Sequence, residues 1–101
     1  MTQTFHPMST GVWLCQLPDG IKKSDILVDS GKALWRNSGQ FEYALLPTVP
    51  LSSDFGWEWN IINESQMRRR YWQFAVGVFL DSDSRLKNKG SNFIELILKK
   101  P

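Results

Sequence analysis

The chain has 101 residues, of which 42% are hydrophobic and five are tryptophan, so it is long enough for one domain and too apolar for a disordered protein. Cys15 is the only cysteine, no apolar run approaches the roughly 18 residues of a membrane span, and no signal-peptide pattern is present; we therefore expect a cytoplasmic protein without membrane contact. The net charge of +2 divides into −3 for residues 1–65 (four Lys or Arg, seven Asp or Glu) and +5 for residues 66–101 (eight and three).

The chain begins with a polar segment and a first strand. Residues 1–10 contain Pro7 and show no hydrophobic period, which predicts a flexible N-terminal arm followed by a single β-rich domain over residues 11–101. Residues 12–17 alternate Val12, Leu14 and Gln16 with apolar neighbours, and a Pro-Asp-Gly turn follows. We predict a strand over 12–17.

The middle of the chain predicts further short strands separated by turn residues. Strands are expected over 26–28, 33–36, 41–46 and 57–62, where apolar and polar residues alternate. A three-residue loop, 37–39, should join two of them as a hairpin. Residues 47–56 contain two prolines and are predicted to be irregular.

Residues 67–80 are predicted to be the central strand of the protein. Their alternation leaves one wholly apolar face, and residues 92–100 repeat the pattern after a polar segment with turn residues. The two runs are therefore expected to form a long antiparallel hairpin. The residues expected at the centre of its core are Trp72, Phe74, Val76, Val78, Ile94, Leu96 and Leu98.

A helix is the alternative interpretation of the same residues. Met67, Tyr71 and Phe74, together with later apolar residues, also follow helical spacing, and Asn63 or Ser65 could cap a helix there. The aromatic and β-branched residues and Gly77 favour a strand, because they are costly inside a helix.

The predicted fold class is all-β, or β-rich α+β. Six or seven short strands, separated by Pro, Gly, Asn and Asp, are typical of a small antiparallel barrel or sandwich.

Catalytic residue types are scarce. His6 is the sole histidine and has no acidic or cysteine neighbour in sequence, while Cys15 alternates within an apolar strand and is expected to be a small buried hydrophobe. Zinc needs about four nitrogen or sulfur ligands, and no nucleotide-binding motif occurs. We therefore predict no catalytic residues, no metal and no cofactor, and an enzyme is the least supported of three function classes.

Basic and aromatic residues of the C-terminal third are the candidate binding residues. They are expected to lie on the second face and at both ends of the predicted hairpin. The set comprises Arg68, Arg69, Arg70, Tyr71, Phe79, Arg85, Lys87, Lys89, Phe93, Lys99 and Lys100.

Two functions follow from this set. The first is a non-enzymatic interaction module or accessory subunit that docks a protein partner, or a second copy of itself, through aromatic and basic surface. The alternative is single-stranded nucleic acid, because such ligands combine phosphates for cations with bases that stack on aromatic rings.

Overall fold

Strands dominate the protein. The computed structural model describes residues 2–48, 55–75, 78–79 and 90–99, and the predicted β-rich fold class is confirmed. The elements in order are β1 (Thr2–Gln3), β2 (His6–Ser9), β3 (Val12–Leu17), β4 (Leu27–Asp29), β5 (Lys32–Asn37), β6 (Gln40–Leu45), β7 (Gly56–Asn63), α1 (Glu64–Ala75) and β8 (Asn92–Lys99), with a 3₁₀ helix at Lys23–Asp25.

The strands form two sheets. Sheet A has the order β1-β6-β5-β4 and sheet B the order β2-β3-β8-β7. All pairings are antiparallel except the short parallel pairing of β1 with β6. Of the two predicted architectures, barrel or sandwich, the described residues form a sandwich.

Sheet B lies between two hydrophobic cores because β3 and β8 are apolar on both faces. Cys15 and Leu96 pack against sheet A, where Trp35 is the largest buried side chain. On the opposite face, Leu14 and Phe93 pack against α1. Two-sided burial accounts for the near-continuous apolar sequence of these strands. The described residues therefore form three layers: sheet A, sheet B and the helix.

The predicted strand over 67–80 is wrong, since residues 64–75 form α1. Its start is specified by a reciprocal cap: Asn63 Oδ1 accepts a hydrogen bond from the Gln66 amide at 2.9 Å, and Gln66 Oε1 accepts one from the Asn63 amide at 2.9 Å. This capping box satisfies two backbone donors at the junction with β7. The alternative helical interpretation, including Asn63 as cap, is confirmed.

The predicted hairpin core is wrong in its first half. Trp72, Phe74 and Val78 are exposed, while Val76 lies outside the described residues. The strand partners of β8 are β3 and β7, not residues 67–80. The second half is largely correct, because Ile94 and Leu96 are completely buried and Leu98 is half-buried.

The predicted N-terminal arm is instead part of both sheets. β1 pairs with β6, and β2 pairs with β3. Phe5 and Met8 are buried, one in each core. These two apolar residues anchor a segment that lacks any visible period.

The other predicted strands are present, with small shifts at their ends. β3 has the predicted bounds, and β4 to β7 overlap the predicted strands. The β5–β6 turn contains two residues, not three: Ser38 and Gly39 both have positive φ angles, 53° and 81°. Such a turn matches the right-handed twist of the strands that it joins, and a glycine adopts it without steric cost.

Candidate functional site

Of the four predicted basic residues that the structure describes, Arg68, Arg70 and Lys99 are each within ion-pair distance of a glutamate. Arg68, Arg69 and Arg70 lie on α1, and Lys99 ends β8 with its Nζ 2.8 Å from Glu58 Oε2. The remaining predicted cations, Arg85, Lys87, Lys89 and Lys100, lie outside the described residues.

Arg70 and Tyr71 converge on a buried carboxylate. Glu95 on β8 is 1% exposed, and Arg70 Nη1 donates to both of its oxygens at 2.8 and 2.7 Å. The Tyr71 hydroxyl donates to Glu95 Oε2 at 2.6 Å. These hydrogen bonds let sheet B bury a charge against α1. The hydrogen bond to Glu95, followed by the charge of Glu95, raises the pKa of Arg70.

A break in α1 makes this convergence feasible. Neighbouring side chains on a regular helix point about 100° apart, so two consecutive residues rarely reach one carboxylate. Tyr71 has φ −131° and ψ 23°, which is not helical. The break at Tyr71 turns its side chain toward Glu95 beside that of Arg70. Arg70 and Tyr71, which were predicted to contact a ligand, therefore bind the Glu95 carboxylate within the fold.

Phe79 and Phe93 are packed inside the core between sheet B and the helix. They are 5% and 0% exposed, and their rings meet edge to face with centroids 5.0 Å apart. His6 meets the Phe79 ring at 5.3 Å. Neither phenyl face is open to a base, so stacking of nucleic acid on these two rings would require the core to open.

The hydroxyl of Tyr71 predicts a distinctive alkaline stability profile. Burial, then hydrogen bonding to Glu95, raises the pKa of Tyr71 from 10.0 to about 12. The native state therefore favours the protonated phenol. The contribution of this hydroxyl to the free energy of unfolding is complete below pH 10 and is lost as the pH rises through about 12. Urea titrations across this interval should show wild-type stability declining toward that of Tyr71→Phe.

Wild type and Tyr71→Phe both retain Cys15. The titration of that thiol therefore cancels in the difference between their free energies of unfolding. Parallel stability curves for wild type and Tyr71→Phe would show that the hydroxyl ionises equally readily in both states.

Among the described residues, the most exposed apolar side chains lie elsewhere, on the outer face of sheet A. Leu27, Phe41 and Leu45 are 61%, 56% and 62% exposed. They project away from the core because their strand neighbours, including Ala33 and Ala44, are buried between the sheets. The described side chains of this outer face are those of Leu27, Asp29, Lys32, Leu34, Arg36, Phe41, Tyr43 and Leu45.

The two cations of this face lie over its aromatic rings. Arg36 Cζ is 4.4 Å from the Phe41 ring centroid, and Lys32 Nζ is 5.6 Å from that of Tyr43. Within the described ranges, neither cation has a carboxylate at ion-pair distance. Each contact is a cation–π interaction on exposed surface. The result is an apolar platform with two positive charges that form no ion pair in the described structure, and with the carboxylate of Asp29 cross-strand from Lys32.

Sequence analysis missed this face because the opposite side of β6 carries a buried acid. Glu42 is 4% exposed; its oxygens accept hydrogen bonds from Trp35 Nε1 and Asn37 Nδ2, each at 3.1 Å. Alternation along 41–46 separated the two sides correctly but gave no sign that the side containing Glu42 faces the core. The side with Glu42 faces the core because buried Trp35 supplies a hydrogen bond to the Glu42 carboxylate there.

Cys15 is buried, as predicted, and burial raises the pKa of its thiol from 9.0 to about 12, so it is not a thiolate near neutral pH. In the part of the chain that the structure covers, no three His, Cys, Asp or Glu side chains are grouped as a metal site would need.

No helix among the described residues is long and apolar enough to cross a membrane. Comparison with known protein families, characterised proteins and solved structures finds no match for this chain.

Proposed function

We propose that the protein is a non-enzymatic, cytoplasmic interaction module that docks a protein partner through the outer face of sheet A. The observation that carries the proposal is the exposure of Leu27, Phe41 and Leu45, each more than half accessible, on one continuous sheet face. Clustered apolar exposure of this kind marks interaction sites. The cytoplasmic assignment rests on the single, unpaired Cys15.

The size of the face favours a short segment of a partner over a second copy of the chain. Strands spaced about 4.8 Å apart, with about 3.3 Å per residue, make this four-stranded face roughly 14 by 20 Å, or on the order of 300 Å². Each partner in a stable complex typically buries about 800 Å². A short peptide could be bound on the roughly 300 Å² of this face, whereas a folded partner would need a larger surface.

Charge and composition define the partner's chemistry. Lys32 and Arg36 lack ion-pair partners in the described structure, so a segment with acidic residues complements them. The exposed leucines favour aliphatic side chains between those acids. Single-stranded nucleic acid is less well matched, because a cation already lies over each aromatic ring on which a base would stack.

The test is a selection of peptides from a random displayed library, followed by affinity measurements on purified variants. We expect enriched peptides to combine acidic and aliphatic residues. Changing Leu27→Ser and Leu45→Ser together should weaken binding at least about tenfold, and stability should change little because both leucines are exposed. Arg36→Gln should weaken binding and reduce its dependence on salt.

Val78→Ser is the matched control, since Val78 is an exposed apolar residue outside sheet A and should leave affinity unchanged. Equal binding by wild type and the double leucine variant would contradict the proposal. If a labelled single-stranded oligonucleotide binds instead, with affinity lost in Arg36→Gln, the nucleic-acid alternative replaces the protein partner.

A further inference from the structure

The free edge of β7 differs from the other three sheet edges. β1 has two residues and β4 has three, while β2 contains Pro7 and a register shift. β7 has eight residues in unbroken register with β8 and contains neither proline nor lysine. Short strands, prolines and irregularities are the usual protection of an edge against strand addition. β7 has none of these three protections; the one charged group that contacts its outward backbone in the described structure is the Lys23 ammonium.

The outward backbone groups of β7 belong to its odd-numbered residues. The Leu98 amide donates to the Gly11 carbonyl at 2.8 Å, so even-numbered residues of β8 bond toward β3 and odd-numbered ones toward β7. The β7–β8 register then directs the amides and carbonyls of Trp57, Trp59 and Ile61 away from the sheet. Consistent with this direction, Lys23 Nζ donates to the Trp59 carbonyl at 3.1 Å.

No strand in the described residues pairs with this edge. The Lys23 ammonium occupies one acceptor position on the Trp59 carbonyl, and a carbonyl oxygen has a second lone pair. The edge therefore offers a row of main-chain donors and acceptors to an added strand.

A cleft of about 600 Å³ lies beside the same edge, between sheets A and B. Trp57 and Trp59 form its β7 side, and Val28 lies on the side of β4. Asp29 is the one charged residue among the described residues of the lining. The cleft can accept alternate side chains of a strand laid along β7, in the manner of other domains that bind peptides by strand addition.

We infer that β7 binds an extended peptide of another protein as a fifth strand of sheet B. Main-chain hydrogen bonds to Trp57, Trp59 and Ile61 hold the peptide, and apolar side chains at alternate positions enter the cleft. A basic side chain of the peptide lies near Asp29, which has no ion pair within the described part of the chain. Apart from Asp29, which lies cross-strand from Lys32 at the border of the two sites, this site shares no residue with the outer face of sheet A.

A second copy of the chain is a poorer occupant. A two-fold pairing of β7 with itself would bring two concave clefts together, and concave surfaces are not self-complementary.

Amide hydrogen exchange tests the edge in the protein without peptide. The amides of Glu58, Asn60 and Ile62 should exchange slowly because they bond to β8, and those of Trp57, Trp59 and Ile61 should exchange faster, giving an alternating pattern. Equal protection along β7 would mean that the edge is already paired, and would overturn the inference.

Peptides selected from a random displayed library on the wild-type protein test strand addition. Ile61→Pro removes an outward amide and leaves the β7–β8 ladder intact, and it should weaken binding at least about tenfold. Ile61→Thr is the matched control, because it shortens the side chain and keeps the amide. Peptides N-methylated on edge-facing amides should lose binding, while methylation of the alternate amides should be tolerated.

Asp29→Asn should weaken binding about two- to fivefold and reduce its salt dependence. The leucine double variant of sheet A should bind these peptides normally, which separates failure of this site from failure of the proposed docking face. If no library peptide depends on the Ile61 amide, or if Ile61→Pro and Ile61→Thr bind alike, the inference is wrong.

Discussion

Replacing Phe93 with alanine is expected to lower the free energy of unfolding by about 3 to 5 kcal/mol, whereas Phe74→Ala should cost less than about 1 kcal/mol. Phe93 is 0% exposed and packs against Phe79 between sheet B and the helix. Truncation there removes buried apolar surface and leaves a cavity. Phe74 is 51% exposed, so water already covers much of its ring. Denaturant titrations followed by circular dichroism measure both losses.

The two variants are matched because each removes one phenyl ring. A large loss for Phe74→Ala with a small one for Phe93→Ala would restore the sequence-based prediction that residues 67–80 form a core strand with Phe74 inward. A large loss for both would place Phe74 in a packed environment.

Replacing Arg70 with methionine is expected to destabilise the protein by about 1 to 3 kcal/mol. The Glu95 carboxylate is buried, and Arg70 contacts both of its oxygens. Removing the guanidinium leaves the charge with the Tyr71 hydroxyl as its described hydrogen-bond donor. The Arg70 side chain is 46% exposed, so water can partly replace it, and the expected loss is below that of a fully buried pair.

Arg69→Met is the control for this prediction. Arg69 neighbours Arg70 in sequence but is exposed, so the same substitution should change stability by less than about 0.5 kcal/mol. Denaturant titrations of both variants at moderate salt separate the effects. Equal losses would mean that the change in net charge or helix propensity matters, and not the contact with Glu95.

Local sequence was sufficient for the parts of the fold whose signals lie within a few residues. β3 is apolar at nearly every position, which both predicts a strand and agrees with its burial between two cores. Ser38 and Gly39 marked the β5–β6 turn, although the tight two-residue geometry was not specified. The Asn63–Gln66 capping box was also present in the sequence, but the β-branched and aromatic residues that follow it weighed against a helix.

Long-range packing decided the remainder. Alternation divides a strand into two sides but does not say which side is buried, and Glu42 became an inward residue because Trp35 and Asn37 supply its hydrogen bonds. Arg70 and Tyr71 likewise acquired their role from Glu95, 25 and 24 residues away. β7 is an edge strand within the described part of the chain because β8 pairs with β3 and β7, and not with residues 67–80. Hydrophobic period is a local property of the chain, whereas burial, ion pairing and strand order depend on residues that only folding brings together.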